Sequence, residues 1–202
     1  MTTHETSAAP LGLRERKKQQ TRERIRREAY RLFAEHGYEA TTVDQIAEAA
    51  EVSSSTFFRY FPTKEDVVIQ DEYDPALADA IRSRPADEPI VDAIIASLKG
   101  PLGAVFEQDR EALLLRARLT FTDPAIRASN VAEQERSERA MAEVIAERAG
   151  RDAGDLEVRC AAAAVIAVFT ALVRHWVEGD GKDDLAELYE RHLPLLSRGL
   201  TF

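Results

Sequence analysis

Four consecutive hydroxyl side chains, Ser53, Ser54, Ser55 and Thr56, are followed closely by Arg59, Tyr60 and Lys64. Hydroxyls donate or accept, so they suit the edges of several bases and specify none strongly. A guanidinium can fork onto a guanine or clamp a phosphate; for Arg59, beside Tyr60, phosphate is the preferred partner. Lys64 precedes another helical pattern, where an ammonium and free backbone N–H groups together attract phosphate. Phe58 offers an apolar face suited to a thymine methyl. Read purely as structure, the serines and the threonine are capping side chains, and one of them must serve that way. Catalytic chemistry is not expected. His4, His36, His175 and His192 are scattered, none at metal-ligand spacing. Cys160 lies in an apolar run, a poor setting for a nucleophile, and the stretch 179–182 (GDGK) lacks the frame of a phosphate loop. No metal or cofactor is expected either.

The elements that must position these residues are short. Val43, Ile46, Ala47 and Ala50 fall at i, i+3, i+4 and i+7, one apolar helical face. Thr42 precedes that run with Gln45 three residues on, the spacing of a capping box. Three residues, Glu51 to Ser53, leave room only for a tight turn. A second helix then carries Phe57, Tyr60 and Phe61, and Pro62 closes it by disfavouring helical geometry at Phe61. Thr63, with Asp66 three residues later, can cap the next helix. Two short helices across such a turn form a helix-turn-helix, whose second member can enter a major groove. Upstream, residues 14–36 predict a helix with Ile25, Ala29, Leu32 and Phe33 on one stripe. Gly37 is expected to end it in a left-handed conformation. Nine basic and three acidic residues lie between Arg14 and Arg31, among them Arg22, Arg24, Arg26, Arg27 and Arg31. Beside a helix-turn-helix, this run predicts phosphate contacts that position without reading sequence.

The stretch 14–68 resembles the DNA-binding segment of TetR-type transcriptional regulators. The resemblance rests on Ala29, Leu32-Phe33, Gly37-Tyr38, Thr41-Thr42-Val43, Ile46-Ala47, Ala50, Val52-Ser53, Thr56-Phe57-Phe58, Tyr60-Phe61 and Lys64-Glu65. It implies that Thr42, Ser54, Ser55, Thr56, Phe58, Tyr60 and Lys64 contact DNA; Ser53 and Arg59 join them on position. Two departures stand out. Phe58 replaces a common tyrosine and loses its hydroxyl bond to phosphate. Glu51 occupies a turn position where glycine is common, so positive φ there would store strain on the order of 1 kcal/mol.

The chain has 202 residues and a net charge of −9. Residues 1–64 carry a net +2 and residues 65–202 a net −11, a basic head for phosphates and an acidic body that stays off them. The expected fold is all-α: a tail over 1–13, a three-helix DNA-binding domain over 14–70, and a helical bundle over 71–202 for ligand binding and dimerisation. One cysteine excludes an internal disulfide framework. No signal-peptide pattern is seen and no apolar run approaches ~20 residues, so no membrane partner and a cytoplasmic location are expected. In the body, Pro75 is expected to kink or divide a helix over 63–84, as a plain break or a hinge. Further helices are expected over 90–108 with an interruption near Gly100, over 110–121 with Leu113, Leu114, Leu115 and Leu119 inside, and over 124–149 with Ile126, Val131, Met141, Val144 and Ile145 on one face. Residues 160–173 carry no charge, so this helix is expected to be buried all round, either centrally in one bundle or, with the helix over 183–198, in a dimer. The resemblance implies the dimer; its interface candidates are Ala161, Ala164, Val168, Leu172, Leu188 and Leu196. It also implies a small-molecule cavity, with Phe106, Arg116, Phe121, Met141, Phe169 and Trp176 as candidate lining. The expected partners are thus a palindromic DNA operator, an unidentified small-molecule effector and a second copy of the chain. The expected function is sequence-specific transcriptional regulation, as a repressor released by its effector. Two other readings stay open: a helical binding protein that has lost operator recognition, and an architectural binder without sequence preference.

Overall fold

The computed structural model describes residues 12–70, 73–100, 103 and 108–199. Among them every regular element is an α-helix. The chain divides into two compact units, one ending at Val67 and the other beginning at Val68. This division falls inside α4, a few residues ahead of the expected limit at 70. Of the expected tail only Gly12 and Leu13 lie among the described residues, and Leu13 is already helical.

The first unit contains α1 (Leu13–His36), α2 (Val43–Ala49), α3 (Ser54–Tyr60) and the start of α4 (Glu65–Ile69). The apolar stripe of α1, Ile25, Ala29, Leu32 and Phe33, lies on the side that packs on α2, and it is buried together with Ile46, Ala47, Ala50, Phe57 and Phe61. Phe57 and Phe61 are fully buried, which stabilises the unit by roughly 1.5–3 kcal/mol each. The α1 helix ends at Gly37, whose N–H donates to Phe33 O at 3.0 Å. Its φ of 85° and ψ of 154° are not the left-handed helical pair expected; they fall in a region open essentially to glycine alone. Thr41, 1% exposed, donates its hydroxyl to Gly37 O at 2.8 Å and closes the loop to α2.

The second unit contains α5 (Tyr73–Arg82), α6 (Ile90–Lys99), α7 (Arg110–Thr122), α8 (Pro124–Ala149), α9 (Leu156–Glu178), α10 (Leu185–His192) and α11 (Pro194–Ser197). Its core joins Leu77, Ile81, Ile94, Leu98, Val144, Val165, Ile166 and Leu193. The long helices α8 and α9 pack on one another, with α5 and α7 also on α8. Asp123 caps α8, accepting from the N–H groups of Ala125 at 2.9 Å and Ile126 at 3.0 Å, Pro124 fills its first position, and Gly150 ends it at φ 62°, ψ 37°. Arg148 ties the connection after α5 to this helix. Its guanidinium donates to the carbonyls of Ile81, Arg84, Pro85 and Glu88, the last two at 2.7 Å.

Several expectations need correction. The expected division of the helix over 63–84 occurs, α4 ending at Ile69 and α5 beginning at Tyr73, but Pro75 lies in the first turn of α5, where its missing N–H costs nothing, and not at the break itself. The leucines of α7 are half-buried, and none of that helix is fully enclosed. Val131 is 60% exposed. Helix α9 is apolar but one-sided: Val158, Ala162, Val165, Ile166, Leu172 and Trp176 are buried, whereas Cys160, Ala161, Ala167 and Ala171 are exposed. By length and composition α9 is apolar enough to cross a membrane, although its charge-free run alone is shorter. The last expected helix is split at Pro194, which lacks the N–H needed to continue α10.

Candidate functional site

Capping fixes the helix-turn-helix at both ends of its turn. At α2, Gln45 N–H donates to Thr42 Oγ1 at 3.2 Å, and Thr42 N–H donates to Gln45 Oε1 at 2.8 Å. The Thr42 hydroxyl also donates to Gln45 Oε1 at 3.1 Å. Both donors of Thr42 are therefore spent within the cap, and as a phosphate donor it is already engaged. The turn is a Schellman motif: Val52 N–H donates to Ala47 O at 2.9 Å and Glu51 N–H to Glu48 O at 3.0 Å. Its left-handed position is Glu51, at φ 52°.

At α3, Ser53 is the capping residue, its hydroxyl oxygen accepting from Thr56 N–H at 3.1 Å. Ser53 Oγ also lies 2.9 Å from Ser55 Oγ and donates to Thr56 Oγ1 at 3.0 Å. Ser54 donates its proton to Asp44 Oδ1 at 2.7 Å. This bond from α3 back to α2 was not foreseen; Asp44 and Ser54 lie ten residues apart, and only the turn brings them together. Ser54 can then meet a base as an acceptor; with the Ser53 proton given to Thr56, the 2.9 Å contact takes the Ser55 proton to Ser53, so Ser55 too presents acceptor lone pairs and Thr56 keeps a proton to donate. Phe58 projects its ring outward, 49% exposed, and the Arg59 guanidinium lies 5.4 Å from the centre of the Tyr60 ring.

Lys64 stands directly ahead of α4, as expected. Its ammonium donates to Tyr38 O at 2.9 Å and Thr41 O at 3.2 Å, and sits 4.1 Å from the centre of the Tyr38 ring. Two of its three donors thus hold the α1–α2 loop, and Tyr38 in turn donates its hydroxyl to Glu65 Oε1 at 3.1 Å. Lys64 positions this loop with two of its donors. On α1, the guanidinium groups of Arg22 and Arg26 lie over the Phe61 ring at 5.0 and 5.6 Å. Arg31 is bound by Glu28 at 2.9 Å and Glu35 at 2.8 Å; its hydrogen bond holds the Glu28 carboxyl below the ordinary carboxylate range. The basic residues at 14–18, by contrast, are exposed on the first turns of α1.

The second unit carries an open cavity of about 250 Å³, near the roughly 300 Å³ lower end of ordinary ligand sites. Of the expected lining residues, Arg116, Phe121, Phe169 and Trp176 face it. Met141 does not: it is 6% exposed in the core and borders only a void of about 20 Å³. Phe106 lies outside the described residues. Sequence reasoning missed a polar ridge on α8, where Asn130, Gln134 and Ser137 at i, i+4 and i+7 line the same cavity. That spacing is visible in the sequence, but only packing shows which face turns inward. Among the interface candidates, Leu172 and Leu188 are buried within the chain's own core at 9% and 6% exposure, so neither is available to a partner. Ala161 is exposed, and Ala164, Val168 and Leu196 are half-buried.

A capped helix-turn-helix beside a basic helix, joined to a helical body with a cavity, defines a helix-turn-helix transcriptional regulator. Residues 25–70 match the profile described as bacterial regulatory proteins of the tetR family, and residues 88–201 match one described as the MftR C-terminal domain. The chain belongs to the TetR family, whose members are transcriptional regulators and not enzymes. It is 37% identical over 182 residues to the HTH-type transcriptional regulator TcmR of Streptomyces glaucescens, covering 86% of this chain and 80% of that one. Its fold is similar to that of the fatty acid degradation regulator FadR from Bacillus halodurans, with 26% identity, a TM-score of 0.62, and coverage of 89% and 99% of the two chains. The Thermus thermophilus FadR, a TetR family repressor solved with lauroyl-CoA, is likewise 26% identical, with a TM-score of 0.59 over 90% and 95% of the chains.

Proposed function

We propose that the chain is a cytoplasmic repressor that binds a palindromic operator as a homodimer and leaves it when a small molecule occupies the body cavity. The observation that carries the reading is the N-terminus of α3, where Ser54, Ser55 and Thr56 stand in a capped helix with Phe58 and Arg59 outward. The N-terminal residues of a recognition helix are those that reach base edges. Phosphate contacts fall to the exposed basic residues at the start of α1 and to Arg59 and Tyr60. The exposed small residues of α9, with Ala161, Ala164, Val168 and Leu196, supply the surface for the second copy. The cavity supports an effector, as does the lauroyl-CoA bound by the Thermus thermophilus relative. An effector changes operator affinity only by binding one conformer better than the other.

The test is binding of the purified protein to the intergenic DNA beside its own gene, against random duplex at physiological salt. Retention under competitor supports the reading. Equal affinity for random duplex would instead indicate an architectural binder, and no binding to any duplex a head that has lost DNA recognition.

A further inference from the structure

Asp44 is not among the expected DNA contacts, yet its carboxylate decides what one of the base-reading hydroxyls can offer. It stands exposed in the first turn of α2, and its Oδ1 accepts the Ser54 hydroxyl at 2.7 Å. An ionised carboxylate accepts and cannot donate, so chemistry fixes the direction of this bond. Its length is that of a charge-assisted bond, roughly twice as strong as a neutral one. Ser54 therefore keeps no proton for DNA and has only lone pairs to offer. The neighbouring hydroxyls are ordered in the same sense. Ser53 accepts from Thr56 N–H at 3.1 Å and donates to Thr56 Oγ1 at 3.0 Å. With its own proton spent, it takes that of Ser55 at 2.9 Å. Ser53 is then saturated, its one proton and two lone pairs all engaged. Ser55, exposed, presents lone pairs alone. Of the hydroxyls from Ser53 to Thr56, only that of Thr56 keeps a proton to give.

We infer that Asp44 is a specificity-determining residue of the operator site: by taking the Ser54 proton it makes Ser54 and Ser55 an acceptor surface that selects base edges bearing an amino group, adenine N6 or cytosine N4. The inference rests on the reading that α3 contacts base edges. In the major groove adenine and cytosine offer those donors, whereas guanine N7 and O6 and thymine O4 only accept. An amino edge completes a hydrogen bond to Ser54. Guanine or thymine at the same place on that strand sets lone pair against lone pair, and a polar group stripped of water with no partner loses more than a bond gains. Every base pair carries one amino group in this groove, so the choice is between its two orientations and not between A·T and G·C. A free hydroxyl would make no such choice, since it rotates to donate or to accept.

The experiment selects bound sequences from a random duplex pool with the full chain, as wild type, Asp44→Ala and Ser54→Ala, each shown to be folded by circular dichroism. In the wild-type site, each half is expected to hold a position where adenine or cytosine on one strand exceeds guanine or thymine by about 3- to 10-fold in affinity. Replacing that base by its analogue without the amino group, purine for adenine or 2-pyrimidinone for cytosine, should lower wild-type affinity by a similar factor and affect Ser54→Ala much less. Asp44→Ala frees the Ser54 proton and should accept guanine or thymine there almost as well. A carboxylate that acted only by repelling phosphates, or only by holding α3 to α2, would change affinity for every sequence alike. An Asp44→Ala variant that keeps the wild-type preference therefore overturns the inference. Should Asp44→Ala not fold, the analogue penalties in the wild type and Ser54→Ala decide, and equal penalties overturn it. A wild type that enriches no sequence would sink the operator reading and the inference together. One that enriches a site with no amino-dependent position would sink the inference alone.

Discussion

Replacing Glu51 with glycine should stabilise the helix-turn-helix. Glu51 is held at φ 52° by the Schellman closure of α2. A side chain at that conformation costs roughly 1–2 kcal/mol, from the approach of Cβ to the following carbonyl. Glycine removes the clash but makes the unfolded chain freer, which costs about 0.4–1 kcal/mol. The difference leaves a net gain of about 0.5–1 kcal/mol. The single tryptophan, Trp176, lies in the second unit, so its fluorescence does not follow the first. Amide exchange does. At the protected amides of Ile46, Ala47 and Phe57, exchange through opening of the unit should slow by about two- to fivefold, since 1.4 kcal/mol corresponds to tenfold. Glu51→Ala is the control, because it removes the carboxylate and keeps Cβ. Protection that rises equally in the alanine variant would assign the effect to charge, and protection that falls in the glycine variant would refute strain at the turn.

Thr42→Ala removes the hydroxyl that accepts from Gln45 N–H and donates to Gln45 Oε1, leaving the backbone N–H of residue 42 on Gln45 Oε1, and should cost the first unit about 1 kcal/mol; exchange at Gln45 and Ile46 no faster than in the wild type would contradict it. Lys64→Met should speed exchange at Thr41 and Thr42, because the loop loses two bonds from one ammonium, whereas a merely solvated lysine would leave those amides unchanged. Arg148→Lys breaks the four-carbonyl clamp, since one ammonium cannot match a fork. A loss of about 1–3 kcal/mol is expected in urea unfolding followed by Trp176 fluorescence, and an unshifted midpoint would show the clamp to be idle. The Glu28 carboxyl is depressed from its ordinary 4.5, chiefly by the Arg31 hydrogen bond. A depressed carboxylate contributes stability that is present above its unfolded pKa and lost as pH falls through the folded one. The stability difference between the wild type and Arg31→Gln should therefore be full at pH 6 and shrink below 4.5; a difference independent of pH would exclude the Glu28 pair as its source.

Local signals were the legible ones. Thr42 with Gln45, Asp123 before Pro124, and Gly150 after a long amphipathic run each mark a helix end through bonds spanning three or four residues, and each forms. The spacing of Ile46, Ala47, Phe57 and Phe61 was enough to place the helix-turn-helix core, because those residues are buried whichever partner they meet. What stayed hidden depended on packing between distant segments. Residues 160–173 have no charges to mark a face, so only the position of α8 decides that Leu172 is interior and Ala167 outside. Leu188 is likewise committed to the chain's own core. The bonds from Ser54 to Asp44, Lys64 to Tyr38 and Arg116 to Val68 span 10, 26 and 48 residues, and no periodicity encodes them. Pro75 was ambiguous because proline both ends helices and begins them.

The measurement that bears most directly on the central claim is a footprint of the protein on the DNA beside its own gene, with the number of chains per duplex determined on the same complex. The account predicts two protected half-sites related by two-fold symmetry, about 34–36 Å apart or a multiple of it, bound by an even number of chains and retained under random competitor. One unsymmetrical patch held by a single chain, or protection that random DNA removes at equal concentration, would contradict it.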